Sequence, residues 1–173
     1  MVEHRLIEKM LFLTSKELQL IKINRAVNPN FIDTFVDFIR IYADRTHHGK
    51  EEDILFKALE HKNMFINDRK MMHDLANDHI MSRKAVGELA AANKIYATGD
   101  RTSMNVISDK LTFLLDLYPN HISKEDKLFF QNTEKYFSAE ELDNMLNDFR
   151  EFDRKMIHEK YRRLYESLKA IYE

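Results

Sequence analysis

The sequence predicts an all-α protein, an up-down-up-down four-helix bundle with an additional long C-terminal helix. Gly 3 and Pro 2 are far below ordinary usage while Leu, Met, Glu and Lys are frequent, so long uninterrupted helices are the simplest outcome. Apolar residues recur at steps of three and four through five stretches, with turn residues between them. At 173 residues and 44% apolar composition, the chain has material for one substantial core.

The first helix runs from near the N-terminus to about Asn24, with Ile7, Leu11, Leu18 and Ile21 turned inward. "NPN" stops it; Asn28 caps and Pro29 opens the second helix, which follows the stripe Ile32, Val36, Ile39 and Ala43 to about Glu60. The third spans about Asp68 to Ala97 on Met72, Leu75, Val86 and Leu89, and Gly99 stops it. The fourth starts near Thr102, follows Ile107, Leu111, Leu114 and Leu117, and passes Phe130; Pro119 inside it predicts a kink. Ser138 and Glu141 form a capping box for the last helix, whose apolar positions are Leu142, Met145, Phe149, Phe152, Met156, Leu164, Leu168 and Ile171. At ~1.5 Å per residue that helix reaches about 50 Å. The expected division is a bundle over 1–134 and a C-terminal helix over 135–173 that packs on the bundle or at a homodimer interface.

Charges of both signs are interspersed, the net charge is −2, and no Lys/Arg block or aromatic-basic groove occurs, so no nucleic-acid partner is expected. The absence of cysteine fits a cytoplasmic protein and restricts metal ligands to nitrogen and oxygen. "MVEHRLIEKMLFLT" breaks its apolar run with charges, and no stretch reaches ~18 apolar residues, so neither a signal peptide nor a membrane span is expected.

Within this helical frame one decamer occurs twice. "HHGKEEDILF" (47–56) and "HISKEDKLFF" (121–130) share the order His, two variable residues, Lys, Glu, an acid, one variable residue, two apolar residues and Phe. His47 with Glu51, and His121 with Glu125, are four apart and project from one helix face. That face is the core stripe: Ile39 and Ala43 lead to His47 and Glu51, then to Ile54 and Ala58, while Leu114 and Leu117 lead to His121, Glu125 and Leu128. A buried unpaired carboxylate costs several kcal/mol, so each Glu needs a cation or a hydrogen-bonding partner.

His4 lies 43 residues before His47, and His79 lies 42 before His121. Helix lengths of about 30 Å and 27 Å from each of the first pair to the intervening turn place both at one level, and the same count holds for the second pair. Six ligands in one layer, His4, His47, Glu51, His79, His121 and Glu125, suit two metal ions, each held by two histidines with both carboxylates bridging. Imidazole with carboxylate suits iron, and also manganese or zinc. The Glu-x-x-His pattern of ferritin-like di-iron proteins is absent.

As a set, His4, His47 to Glu51, His79 and His121 to Glu125, with "HHGKEE" and "HISKED", resemble the hemerythrin-like, HHE cation-binding domain family of bacterial and archaeal type, over residues 1 to about 134. The resemblance implies a four-helix bundle around a non-heme di-iron centre, a bridging Glu pair, and an open iron position that binds dioxygen or a related small molecule. Oxygen-carrying hemerythrins place an HxxxH pair on the third helix, whereas here Leu75 stands four before His79. His73, six residues away, lies about 240° around the helix, so an altered iron coordination is expected.

Around these six, His48 and Glu52 are expected in solvent or supporting roles, Glu8 as an inward candidate or a surface group, and Arg83 in ordinary exposed salt bridging or as a partner for a carboxylate near the site. His61 and His158 carry no pattern. The first expected function is a di-iron protein that binds dioxygen, nitric oxide or iron for sensing, storage or stress response. The second is an enzyme or repair factor at the same centre, reducing peroxide or oxygen or delivering iron to iron-sulfur clusters. The third is a zinc-bearing or metal-free interaction bundle.

Overall fold

The computed structural model describes the backbone of residues 2–172 and the side chains of 3–156. All regular structure among them is helical. Helix α1 is Val2–Asn24, α2 covers 29–60, α3 is Ile66–Ala97, α4 covers 104–133, and α5 is Ala139–Tyr172. No helix is long and apolar enough to cross a membrane among the described residues.

The predicted stops and starts act through local hydrogen bonds. The Asn28 side chain accepts the N–H of Phe31 at 3.3 Å, and Pro29 follows at the first helical position, where its missing N–H costs nothing. Gly99 ends α3 at φ +102°, a conformation that disfavours any side chain. At α5 the Ser138 N–H donates to the Glu141 carboxylate at 2.8 Å and the Glu141 N–H to the Ser138 hydroxyl at 3.2 Å, a reciprocal box. Helix α4 continues through Pro119 without interruption from Met104 to Lys124.

Helix α3 packs against α2 and α4, and α1 packs against α4 and the middle of α2, so each of these four touches two others. Their inward side chains form two apolar clusters. One includes Ile7, Leu18, Ile32, Phe35, Leu89, Ile107 and Leu111. The other includes Leu55, Phe56, Leu59, Met72, Leu75 and Phe129. In α2 the residues His47 and Glu51 lie between Ala43 of the first cluster and Leu55 of the second; α3 and α4 change cluster at His79 and at His121 to Glu125. A polar layer therefore sits between two dry ones.

Helices α2 and α4 are not α-helical throughout. Ile39–His48, Glu51–Phe56 and Glu125–Phe129 are π-helical, with i→i+5 hydrogen bonding. This corrects the predicted stripe. Beyond Glu51, Leu55, Phe56 and Leu59 are buried while Ile54 and Ala58 are only partly so, and beyond Glu125, Phe129 is buried while Leu128 is exposed. A wider turn consumes one more residue, so the inward face slips by one position beyond Glu51 and again beyond Glu125. In the α-helical part of α4, Tyr118, four after Leu114, takes the buried place expected of Leu117.

Helix α5 lies against the π-helical part of α2. Met145 is buried in the second cluster, Lys62 pairs with Glu141 at 2.6 Å, and Lys50 pairs with Asp153 at 2.8 Å. Gly49, between His48 and Lys50, leaves room for Phe152: a Cβ there would stand 2.8 Å from the ring. Gly49→Ala is therefore expected to push Phe152 off α2 and loosen α5, seen as faster proteolysis within α5 at unchanged overall helix content. The predicted apolar positions Leu164, Leu168 and Ile171 lie outside the described side chains.

Candidate metal centre

The structure brings all six predicted residues into one layer and buries them. His4, His79 and Glu125 have no exposed surface, and His47, Glu51 and His121 have at most 3%. Two groups of four emerge, His4, His47, Glu51 and Glu125, and His79, His121, Glu51 and Glu125, each with ligating atoms within 4.8 Å of one another. Both carboxylates belong to both groups. Glu51 faces His47 at 3.7 Å and His79 at 3.4 Å; Glu125 faces His4 at 3.2 Å and His121 at 3.1 Å. Within each group the two Nε2 atoms are also close, 2.9 Å for His4 and His47 and 3.3 Å for His79 and His121.

The outer nitrogen of every ring is held by an acid. Nδ1 of His4 meets Asp126 at 2.9 Å, that of His47 meets Glu3 at 3.0 Å, that of His79 meets Glu52 at 2.7 Å, and that of His121 meets Asp78 at 3.2 Å. An ionised carboxylate only accepts, so each Nδ1–H donates outward, and in a neutral ring the Nε2 lone pair points into the layer. Each acid in turn has a base: Arg5 for Asp126 at 2.8 Å, Lys50 for Glu3, Arg83 for Glu52 at 2.8 Å, and Lys124 for Asp78. Outer partners of this kind fix ring orientation and raise ligand basicity in metal sites.

The profile of the hemerythrin HHE cation binding domain matches residues 1–133. The chain belongs to that family. No curated protein and no solved structure matches the chain.

In this HHE domain the donor set fits a cation. The oxygens of Glu51 and of Glu125 have no hydrogen-bond donor, and four imidazoles converge on them in a buried layer. Without a metal, protons take up part of that role. Burial, followed by the Glu125 charge, pushes the Glu51 carboxyl well above the usual range. Burial acts the same way on Glu125, but the His121 and His4 rings that face it at 3.1 and 3.2 Å outweigh it and hold that carboxyl far below the usual range. Burial alone would lower His121, yet the hydrogen bond to Asp78 on one side and the Glu125 carboxylate on the other raise it to about 9.

Among the surrounding residues, Glu52 has the expected supporting role, and Arg83 pairs with Asp44 at 2.7 Å as well as with Glu52. Glu8 does not turn inward; it pairs with Arg5 at 2.7 Å. His73 is exposed, and Leu75 is fully buried in the second apolar cluster, so α3 contributes His79 alone. The side chain of His158 lies outside the described residues.

His48 departs from its expected role. It is 1% exposed, and its ring is stacked on His79 with centroids 3.8 Å apart. The π turn explains this: adjacent residues on a wider helix subtend a smaller angle, so His47 and His48 both fit the inward face, where α-helical counting admits only one.

Sequence reasoning gives no role to the acids Glu3, Asp78 and Asp126 or to Lys50 and Lys124, although a signal is present. Glu3 precedes His4 as Asp78 precedes His79, and the "KEE" of the first decamer recurs as "KED" in the second. The HHE domain is thus doubled in its supporting residues as well as its candidate ligands. Removing one such support should be felt without touching a ligand. Asp78→Asn is expected to weaken metal affinity by roughly 10–100-fold, read by competition with a chromogenic chelator.

A cavity of about 610 Å³ lies beneath α5 and reaches His47 and Glu51. Leu55, Phe130, Met145 and Phe149 give it an apolar wall.

Proposed function

We propose that this chain is a non-heme di-iron protein of hemerythrin type, built on an up-down-up-down four-helix bundle, that binds dioxygen, nitric oxide or iron itself for sensing, storage or stress response. The observation that carries this is the sharing of Glu51 and Glu125 by two histidine pairs, because carboxylates placed between two sets of imidazoles suit a pair of ions. Manganese or zinc would accept the same donors, and iron is favoured by the family.

Iron at this centre supplies open coordination positions and a redox couple to which a diatomic ligand responds. The chain's own residues do the rest. His4 and His47 would hold one ion and His79 and His121 the other, with Glu51 and Glu125 available to both. Asp126, Glu3, Glu52 and Asp78 keep the ring protons on Nδ1 and so aim each Nε2 inward. Phe56, packed 6.0 Å from the His79 ring, and Phe130, 6.1 Å from that of His4, shield the layer from water. The cavity beneath α5 supplies a way in at His47 and Glu51.

Iron-loaded protein tests this: visible charge-transfer bands that change when oxygen or nitric oxide is admitted are expected, and iron-loaded protein indifferent to both contradicts the reading. A second reading is an enzyme reducing peroxide or oxygen at the same centre, to which the cavity reaching His47 and Glu51 would give a small substrate access. Sustained peroxide consumption with a supplied reductant would select it.

A further inference from the structure

The two halves of the site match residue by residue, and the match breaks at one inward position. Glu3 and His4 correspond to Asp78 and His79, while His47, Lys50, Glu51 and Glu52 correspond to His121, Lys124, Glu125 and Asp126. The residue after the first motif histidine is His48 in one half and Ile122 in the other, both buried. An apolar position in one half is an imidazole in its counterpart.

That imidazole has no partner. Neither Nδ1 nor Nε2 of His48 has a hydrogen bond, although the side chain is buried. Asp44 approaches Nδ1 only at 3.5 Å and directs its carboxylate to Arg83 instead. The gap beside the ring, bounded by His79, Ser82, Tyr118 and His121, is too small for a water molecule. Buried polar groups in native proteins are nearly always satisfied, so two orphaned nitrogens on one ring need an explanation. One lies close at hand: a ring nitrogen of His48 is within 4.8 Å of ligating nitrogens of both His79 and His121.

Resting on the di-metal reading above, we propose that His48 is a seventh ligand, the third imidazole of the metal position held by His79 and His121. The two positions then differ. One has His4 and His47 with the shared carboxylates, and Ile122 in place of a third ring. The other has three imidazoles with the same carboxylates. The ring must turn out of its parallel stack on His79 to aim a nitrogen at the ion. Coordination satisfies one nitrogen of a ring that nothing else satisfies.

The competing account makes His48 a packing group, one ring in a stack with Phe56, His79 and Tyr118. His48→Phe separates the two, since it keeps an aromatic ring and removes the donors. In protein loaded with cobalt(II), used as the probe metal, unaltered chain is expected to take up two ions. Its paramagnetically shifted spectrum should show five imidazole rings. His48→Phe should keep the metal-free fold and the His4/His47 ion, bind the second ion at least tenfold more weakly, and lose one set of shifted ring signals. Four shifted rings in the unaltered protein, or two ions held at unaltered affinity by His48→Phe, overturns the proposal. The ring count needs no variant, so it decides the matter even if His48→Phe fails to fold. Unaltered protein that takes up no pair of ions overturns the di-metal reading itself.

Discussion

Glu125→Ala is expected to strip the protein of most of its bound iron, from both positions at once. Of the two shared carboxylates Glu125 is the fully inaccessible one, and it faces one histidine of each pair, His4 at 3.2 Å and His121 at 3.1 Å. Outer partners in metal sites typically contribute 10–100-fold to affinity, so loss of a ligand shared by two ions should exceed roughly 100-fold. His47→Ala should also lose most of the iron, beginning with the position it shares with His4, which would then keep one imidazole. His61→Ala, an exposed residue far from the layer, should leave the metal content unchanged. Elemental analysis of the three variants beside the unaltered protein checks the set, and full iron in Glu125→Ala would mean the ions sit elsewhere.

Metal loading should raise the melting temperature by a large step. The metal-free layer holds two buried carboxylates and four converging imidazoles, an arrangement that protons only partly neutralise. An ion that binds only the folded state at 100 times its dissociation constant adds about 2.7 kcal/mol. For a chain of this size 1 kcal/mol is worth roughly 2–4 °C, so two ions correspond to about 10–20 °C. Thermal unfolding of iron-loaded protein with and without chelator reads this directly. The step should vanish in Glu125→Ala, whose layer no longer holds the pair of ions. A chelator effect of equal size in both proteins would place the stabilising metal outside the layer.

The six residues of the buried layer are legible in the sequence because polar residues on an apolar stripe stand out, and His47 with Glu51 and His121 with Glu125 do so twice. Caps such as Asn28 and Ser138 act over three residues and need no tertiary information. The π turns are not legible, because an extra residue per turn leaves no periodic mark in a stretch this short. Helical counting without them misplaces Ile54, Ala58 and Leu128, and it puts His48 on the wrong face. The acids Glu3, Asp78 and Asp126 are hidden differently: a charged residue beside the layer looks like any solvated helix face until the neighbouring helix brings a ring nitrogen to it.

Anomalous diffraction at the iron edge from crystals of the iron-loaded protein bears most directly on the central claim that one buried layer holds two ions between two shared carboxylates. The account predicts two peaks per chain, one between His4 and His47 and one between His79 and His121, each within bonding distance of both Glu51 and Glu125. A single peak, no peak in that layer, or two peaks that share neither carboxylate would contradict it.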